Sequence, residues 1–216
     1  MKKVAVILSG SGVFDGSEIN EAVLTLLHLS KAGASYQCFA PDANQQHVIN
    51  HLTGEEMNET RNILVEAARI SRGEAKPLTE LDATQFDAVI LPGGFGAAKN
   101  LCNFAEQGAA CELTQDVRNA CEAFKKLGKP AGYMCIAPVM VPLVYGAGVQ
   151  VTIGNDKDTA AAITAMGGKH VDCAVDGIVV DETHRVVTTP AYMLAQSLAE
   201  AEQGISKLVQ QVLAMA

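Results

Sequence analysis

Cys135 lies where a predicted buried strand ends and a predicted helix begins. The apolar run 129–134 has the pattern of a buried strand. Residues 136–145 are predicted to form a short helix with Pro138 in its first turn. The partial positive charge of a helix N-terminus favours thiolate over thiol and lowers the pKa of a cysteine there. These residues predict a nucleophile at Cys135. The alternative is a small apolar side chain packed in the core.

A cysteine nucleophile needs a group that moves protons. Glu18 follows the turn after the first predicted strand, so its carboxylate is expected to face Cys135 and to shuttle the proton. Asp15 and Glu18 also stand three residues apart before an apolar helix, which is the spacing of a capping box with Asp in place of Ser or Thr. Both interpretations stay open from the spacing.

The nucleophile also needs backbone donors for a developing oxyanion. Gly93 and Gly94 lie in the Gly-rich turn 92–96, where the lack of side chains permits close approach of a substrate. The amide of Ile136, directly behind the nucleophile, is the other candidate donor. A turn of this composition can also be a simple tight turn.

Two further patterns do not predict a ligand site. Residues 10–15 begin like a dinucleotide-binding fingerprint, but Asp15 occupies the third glycine position, and its charge would repel a pyrophosphate. His47 and His51 have the i, i+4 spacing of metal ligands, but Val48 stands where a zinc peptidase has Glu. We therefore predict no metal and no nucleotide cofactor.

Strands and helices alternate along the chain. Strands are predicted at 3–8, 35–40, 87–91 and 129–134, and helices at 17–31 and 113–127. This order predicts an α/β fold with a doubly wound parallel sheet. In such sheets the ligand lies outside the carboxyl ends of the strands, so the turns after Leu8, Leu91 and Met134 are expected to share one crevice.

Two later segments complete the prediction. Residues 177–180 and 185–188 flank turn-forming residues and predict a small antiparallel hairpin. A last helix is predicted over 191–215, with Gly204 as a candidate interruption. Residues 41–84 are longer than an ordinary connection and include a predicted helix at 58–70. They are either a lid or a dimer contact, or a segment whose apolar residues simply pack on the sheet.

The composition excludes several classes of protein. A chain of 216 residues with 49% hydrophobic residues fits one domain, 1–216, with an insertion at about 41–84. The net charge of −8 argues against nucleic-acid and anionic membrane partners. Without a signal-peptide core or transmembrane run, and with six cysteines lacking CxxC spacing, we expect free thiols and a cytoplasmic location.

With the first strand, Glu18, the Pro-Gly-Gly turn and the Cys135 elbow in this order, the chain resembles the ThiJ/PfpI superfamily. The segments 9–18, 51–55 and 188–194 look like its ElbB branch, which is named for enhanced lycopene biosynthesis and described as glyoxalase-like. The resemblance implies a flavodoxin-like fold close to class I glutamine amidotransferases. It also implies a homodimer.

The resemblance assigns Cys135 as nucleophile and Glu18 as its acidic partner. It implies a glyoxalase-type lyase that needs no cofactor and converts the small aldehyde glyoxal to glycolate, an activity that can also be observed as protein deglycation. Relatives with a histidine soon after the elbow differ from this chain, which has none at 151–155, and His184 does not supply an amidotransferase His–Glu pair. The alternative function is a non-catalytic metabolite-binding or redox-sensing regulator linked to isoprenoid metabolism.

Overall fold

The computed structural model describes residues 1–216. Nine β-strands form in chain order: β1 Lys3–Ile7, β2 Ser35–Ala40, β3 Ala75–Pro77, β4 Ala88–Leu91, β5 Ala131–Met134, β6 Gln150–Val151, β7 Lys169–His170, β8 Val179–Asp181 and β9 Val186–Thr189. Seven α-helices accompany them: α1 Ile19–Lys31, α2 Ile63–Ile70, α3 Phe104–Gln107, α4 Gln115–Lys126, α5 Val141–Tyr145, α6 Lys157–Ala165 and α7 Leu198–Met215. None of these helices combines the length and the apolar character that crossing a bilayer requires.

Seven strands form one sheet in the order β3-β2-β1-β4-β5-β9-β8. Neighbouring strands are parallel, except that β8 runs antiparallel to β9 and pairs Val180 with Val187. The predicted doubly wound sheet with a small antiparallel hairpin is therefore confirmed. The sequence did not predict β3, nor the separate parallel pair of β6 and β7, because strands of two or three residues show no periodicity.

Helices cover both faces of the sheet, because the central strands are apolar on both sides. The residues of β1 from Val4 to Ile7 and all of β4 are buried. On one face Ala5 and Val89 belong to a cluster that includes side chains of α4 and α5. On the other face Val4 belongs to a cluster built with α1 and α7. Because β1, β4 and β5 run parallel, their carboxyl ends lie at one edge of the sheet.

The last helix is shorter than predicted and has no interruption. Residues 191–193 form a separate 3₁₀ turn, and α7 begins after Ser197, whose hydroxyl accepts the N–H of Glu200 at 3.2 Å. Gly204 is buried inside α7, where a Cβ atom would lie 2.7 Å from the carbonyl oxygen of Val175. The glycine thus permits close packing of the helix and does not break it.

The segment 41–84 packs against the rest of the molecule through helix α2 and through the loop that precedes it. Helix α2 begins at Ile63, later than predicted, and its residues Ile63 and Ala67 are buried. The preceding loop lies on the turn after β1, where Asp15 accepts the N–H of Ile49 at 2.7 Å and Phe14 donates its N–H to Nε2 of His51 at 3.2 Å. His51 is therefore a partner of this turn.

Candidate active site

Cys135 follows β5 directly, on a sharp turn at the carboxyl edge of the sheet. Its φ of 60° lies in the left-handed region that a residue with a side chain rarely adopts. The N–H of Cys135 donates to the carbonyl oxygen of Thr189 at 3.0 Å, which holds this conformation. The predicted helix behind it forms as a 3₁₀ turn, Ala137–Met140, followed by the short α5. Such a strained elbow directs the side chain away from the sheet.

The carboxylate that meets the thiol belongs to Glu21, in the first turn of α1. Glu21 is fully buried and hydrogen-bonds to the Cys135 side chain. Its Oε2 accepts the N–H of Gly93 at 2.8 Å, and its Oε1 accepts the N–H of Tyr192 at 3.1 Å. Three elements of the fold thus fix the carboxylate: α1, the turn after β4 and the segment after β9.

Glu18 does not take the expected position facing Cys135. It is the N-cap residue of α1, and its carboxylate accepts the N–H of Glu21 at 2.7 Å. Asp15 does not cap the helix, because its carboxylate accepts the N–H of Ile49. The physical reason is that α1 starts at Ile19, so the carboxylate one residue earlier turns back onto the free N–H groups of the first turn.

The sequence pattern held one signal for Glu21 that the prediction missed. Leu24 and Thr25, three and four residues further on, are buried on the same face of α1. A carboxylate on the apolar face of an amphipathic helix is rarely buried unless it has specific partners. The signal for Glu21 was therefore its position on the buried face of α1, and not its distance from the turn 92–96.

Two of the three predicted oxyanion donors lie at the nucleophile. The backbone N–H groups of Gly94 and Ile136 hydrogen-bond to the Cys135 side chain. Gly93 differs, because its N–H is already donated to Glu21. A Cβ atom at Gly93 would collide with the Cβ atom of Cys135 and would lie 2.8 Å from Oε2 of Glu21. This glycine therefore permits the side chains of Cys135 and Glu21 to approach each other.

Burial dominates the electrostatics of the pair. It raises the pKa of Glu21 to about 7, with a further contribution from the negative charge of Glu18, while N–H donation from Tyr192 and Gly93 opposes the shift. Burial and the charge of Glu21 raise the pKa of the Cys135 thiol well above its ordinary value, although the N–H groups of Gly94 and Ile136 oppose this. The lowered pKa expected at a helix N-terminus is therefore not found.

The two pKa shifts indicate the resting state of the pair. The Cys135 thiol keeps its proton at neutral pH, and Glu21 is the group that titrates there. Since two negative charges in a buried site repel each other, the pair is expected to hold one at most. The thiol can become a nucleophile only as Glu21 accepts its proton.

Cys135 opens onto a pocket of about 530 Å³ that is mostly apolar. Phe95 and Phe104 contribute aromatic rings, and Asp156 is the one charged residue in the lining. The remaining residues of the lining are Val13, Gly94, Ala98, Ala105, Cys135, Ile136, Thr159, Tyr192 and Met193.

No histidine lines this pocket. His184 lies in the turn between β8 and β9, where its Nδ1 is 2.9 Å from the carboxylate of Asp181 and its ring packs edge-on against Tyr145. The site therefore contains a cysteine–glutamate pair and no cysteine–histidine pair.

Comparison with known proteins identifies close relatives. No known family profile matches the chain. It is 46% identical over 221 residues to the human glutamine amidotransferase-like class 1 domain-containing protein 3, mitochondrial, with 98% of this chain and 82% of the human protein covered. It is 45% identical to the ES1 protein homolog, mitochondrial, of Rattus norvegicus, covering 98% and 83% of the two chains. Since these relatives are named as mitochondrial, the predicted cytoplasmic location is wrong.

Solved structures share the fold. The crystal structure of an isoprenoid biosynthesis protein with an amidotransferase-like domain from Ehrlichia chaffeensis superposes with a TM-score of 0.94 at 38% identity, covering 100% of this chain and 99% of the other. A DJ-1 superfamily protein from Salmonella typhimurium has a TM-score of 0.60 at 22% identity, covering 99% and 91%. Glyoxalase III from Candida albicans has a TM-score of 0.63 at 15% identity, covering 99% and 97%. The last two show the fold alone.

Proposed function

The chain belongs to the family of ES1 and glutamine amidotransferase-like class 1 domain proteins, and we propose that it is a cofactor-independent glyoxalase. Cys135 is the proposed nucleophile, and Glu21 is the proposed acid–base group. The observation that carries the proposal is the buried contact between this thiol and this carboxylate, at a strained elbow that opens into an apolar pocket. We place the family's acidic partner at Glu21 and give Glu18 a supporting role.

The proposed reaction begins with addition of the Cys135 sulfur to one aldehyde carbon of glyoxal. A C–S bond forms, the carbonyl π electrons move to oxygen, and Glu21 takes the thiol proton and passes it to that oxygen. The N–H groups of Gly94 and Ile136, which hydrogen-bond to the sulfur at rest, are the proposed donors to the developing negative charge. The product of this step is a hemithioacetal.

The second part moves a proton between the two carbons of the substrate. Glu21, again as a carboxylate, removes the proton from the sulfur-bearing carbon, and the resulting enediol is protonated on the neighbouring carbon. This yields a thioester of glycolate on Cys135. Water then breaks the C–S bond, and glycolate leaves while the thiol regains its proton. The sum is glyoxal plus water to glycolate, with no net oxidation and no cofactor.

The lining of the pocket narrows the class of substrate. It contains no lysine or arginine, and the carboxylate of Asp156 would repel an anion. The absence of a histidine beside Cys135 removes the usual proton carrier of glutaminase chemistry. These features favour an uncharged 2-oxoaldehyde over glutamine, whose α-carboxylate would find no cation.

The experiment that tests this proposal measures conversion of glyoxal to glycolate by purified protein in buffer free of amines and thiols. Wild type, Cys135→Ala, Glu21→Gln and Glu18→Gln are compared, with Cys173→Ala as a control cysteine that lies outside the pocket. We expect turnover in wild type and Cys173→Ala and none in Cys135→Ala. Glycolate formation that is equal in all variants would refute the enzyme.

A metabolite-binding function in isoprenoid metabolism is the second candidate. The missing histidine favours it, and so does the likeness to the isoprenoid biosynthesis protein of Ehrlichia chaffeensis. The raised pKa of Cys135 disfavours the redox-sensing form of this hypothesis at this residue, because the thiolate is the form that reacts with oxidants. Specific ligand binding in the pocket by a protein that does not turn over glyoxal would support this candidate.

A further inference from the structure

Two cysteines outside the nucleophile's elbow lie next to each other in space. Cys102 forms an isolated antiparallel bridge with Leu113. The carbonyl oxygen of Leu101 accepts the N–H of Thr114 at 3.0 Å on one side of the bridge, which holds the two short extended segments together. Since side chains alternate across an extended segment, Cys111, two residues before Leu113, lies on the same face as Cys102.

The two side chains are neighbours as well as on one face. The thiol of Cys102 donates to the carbonyl oxygen of Ala97 at 3.3 Å, and the thiols of Cys102 and Cys111 are close enough for each to shift the pKa of the other. Sδ of Met166 lies 3.7 Å from the sulfur of Cys111, so three sulfur atoms are clustered here. Both thiols are free in the structure.

We propose that Cys102 and Cys111 are a redox-active dithiol, which hydrogen peroxide converts to an intramolecular disulfide. This proposal does not depend on the glyoxalase function. It assigns the thiol oxidation of this chain to a pair that lies outside the Cys135 elbow.

The chemistry balances with hydrogen peroxide as the oxidant. The Cys111 sulfur attacks one peroxide oxygen, so that an S–O bond forms, the O–O bond breaks and water leaves. The Cys102 sulfur then attacks the sulfenic sulfur, so that the S–S bond forms and the S–O bond breaks, with a second water carrying away the Cys102 proton. Two electrons pass from the two thiols to the peroxide.

Cys111 is suited to the first step. The neighbouring Cys102 thiol lowers its pKa, whereas the pKa is raised for Cys38, Cys102, Cys121, Cys135 and Cys173. Cys111 is itself buried, with 4% of its surface exposed, between the exposed residues Ala110 and Glu112. Because the thiolate is the form that peroxide oxidises, the lowered pKa and the adjacent second thiol favour this cysteine.

A disulfide here would act on the catalytic pocket. The loop that it closes contains α3, and Phe104 and Ala105 of this loop form part of the pocket wall next to Cys135. The loop has only short helical turns and is exposed along much of its length. A covalent link across its base is therefore expected to restrict the wall of the pocket.

The test treats the reduced 216-residue protein with hydrogen peroxide, alkylates it under denaturing conditions and maps the peptides by mass spectrometry. We expect the intact mass to fall by two hydrogens and two of the six cysteines to escape alkylation. The linked peptide should contain Cys102 and Cys111, and dithiothreitol should restore both. Oxygen added at Cys135 while Cys102 and Cys111 remain alkylated would overturn the proposal.

Variants supply an independent readout. Cys102→Ser and Cys111→Ser should each abolish the mass loss, while Cys173→Ser, the matched control, should retain it. Hydrogen exchange of wild type should slow in residues 103–110 after oxidation and recover after reduction. Unchanged exchange there would refute the restriction of the pocket wall, and the wild-type peptide map decides the disulfide even if a variant fails to fold.

Discussion

Oε2 of Glu21 accepts the backbone N–H of Gly93 at 2.8 Å, and this bond joins the turn after β4 to the acidic partner of Cys135. The composition of the turn 92–96 predicted oxyanion donors at Gly93 and Gly94, but the N–H of Gly93 is donated to Glu21. Its first glycine orients the carboxylate, and the next one, Gly94, donates to the thiol. A single turn thus contacts both members of the cysteine–glutamate pair.

Replacing Glu21 tests the assignment of the acid–base group. We expect Glu21→Gln to lower kcat/KM for glyoxal by about 100-fold or more, since acid–base groups contribute roughly 10² to 10⁴. Glu18→Gln should have a much smaller effect, because Glu18 only caps α1 and lies beside Glu21. Steady-state kinetics of both variants distinguish the two carboxylates. The reverse order of effects would return the catalytic role to Glu18.

The pKa of Glu21 predicts the acidic limb of the pH profile. Because Glu21 must be ionised to accept the thiol proton, kcat/KM is expected to rise with pH through about 7, the pKa of that carboxyl. The charge of Glu18 contributes to this raised pKa. The limb should therefore move to lower pH in Glu18→Gln. A limb that does not shift in that variant would contradict the electrostatic coupling.

The same carboxyl predicts how stability depends on pH. The pKa of Glu21 is about 7 in the folded protein and 4.5 in the reference state, so the folded state binds the proton more tightly. Its stabilising contribution is full below pH 4.5 and is lost as pH rises through 7; a shift of this size corresponds to about 3 kcal/mol. Chemical denaturation between pH 5 and pH 8 measures the slope. Glu21→Gln should flatten it.

Replacing Gly93 tests whether the close approach of Cys135 and Glu21 requires a glycine at this position. A methyl group in Gly93→Ala would meet the Cys135 side chain and lie 2.8 Å from Oε2 of Glu21, so we expect loss of activity and a Tm several degrees lower. Gly128→Ala is the control, because no atom lies within 4 Å of a Cβ there, and only its φ of 64° opposes the substitution. Thermal unfolding and glyoxal turnover are measured for both. Equal changes in Tm and in turnover for Gly93→Ala and Gly128→Ala would show that steric crowding at Gly93 is unimportant.

The apolar pocket predicts a preference among 2-oxoaldehydes. Phe95, Phe104 and Met193 offer apolar surface beside Cys135 that glyoxal cannot cover. One added methyl group in an apolar pocket is worth roughly 10-fold or more in kcat/KM. Methylglyoxal should therefore exceed glyoxal by about that factor. Phe104→Ala should reduce the preference, and an unchanged ratio would place the substrate away from this wall.

The sequence predicted the fold better than the chemistry of the site. The apolar run at β1, the alternation of strands with helices and the turn at Cys135 are local signals, and each led to a correct element. Glu21 was missed because the choice between two acidic residues depends on the helix starting at Ile19 and not at Ser17. The pKa direction of Cys135 was missed because burial and a neighbouring carboxylate arise only in the folded chain.

The pairing of β5 with β9 has a consequence for biosynthesis. The carbonyl oxygen of Thr189 holds the Cys135 elbow, and the N–H of Tyr192 holds Glu21. Both groups leave the ribosome long after the two side chains that they fix. A nascent chain that ends before them carries the thiol and the carboxylate without the backbone that aligns them. The Cys135–Glu21 pair therefore reaches its aligned geometry only when β9 pairs with β5.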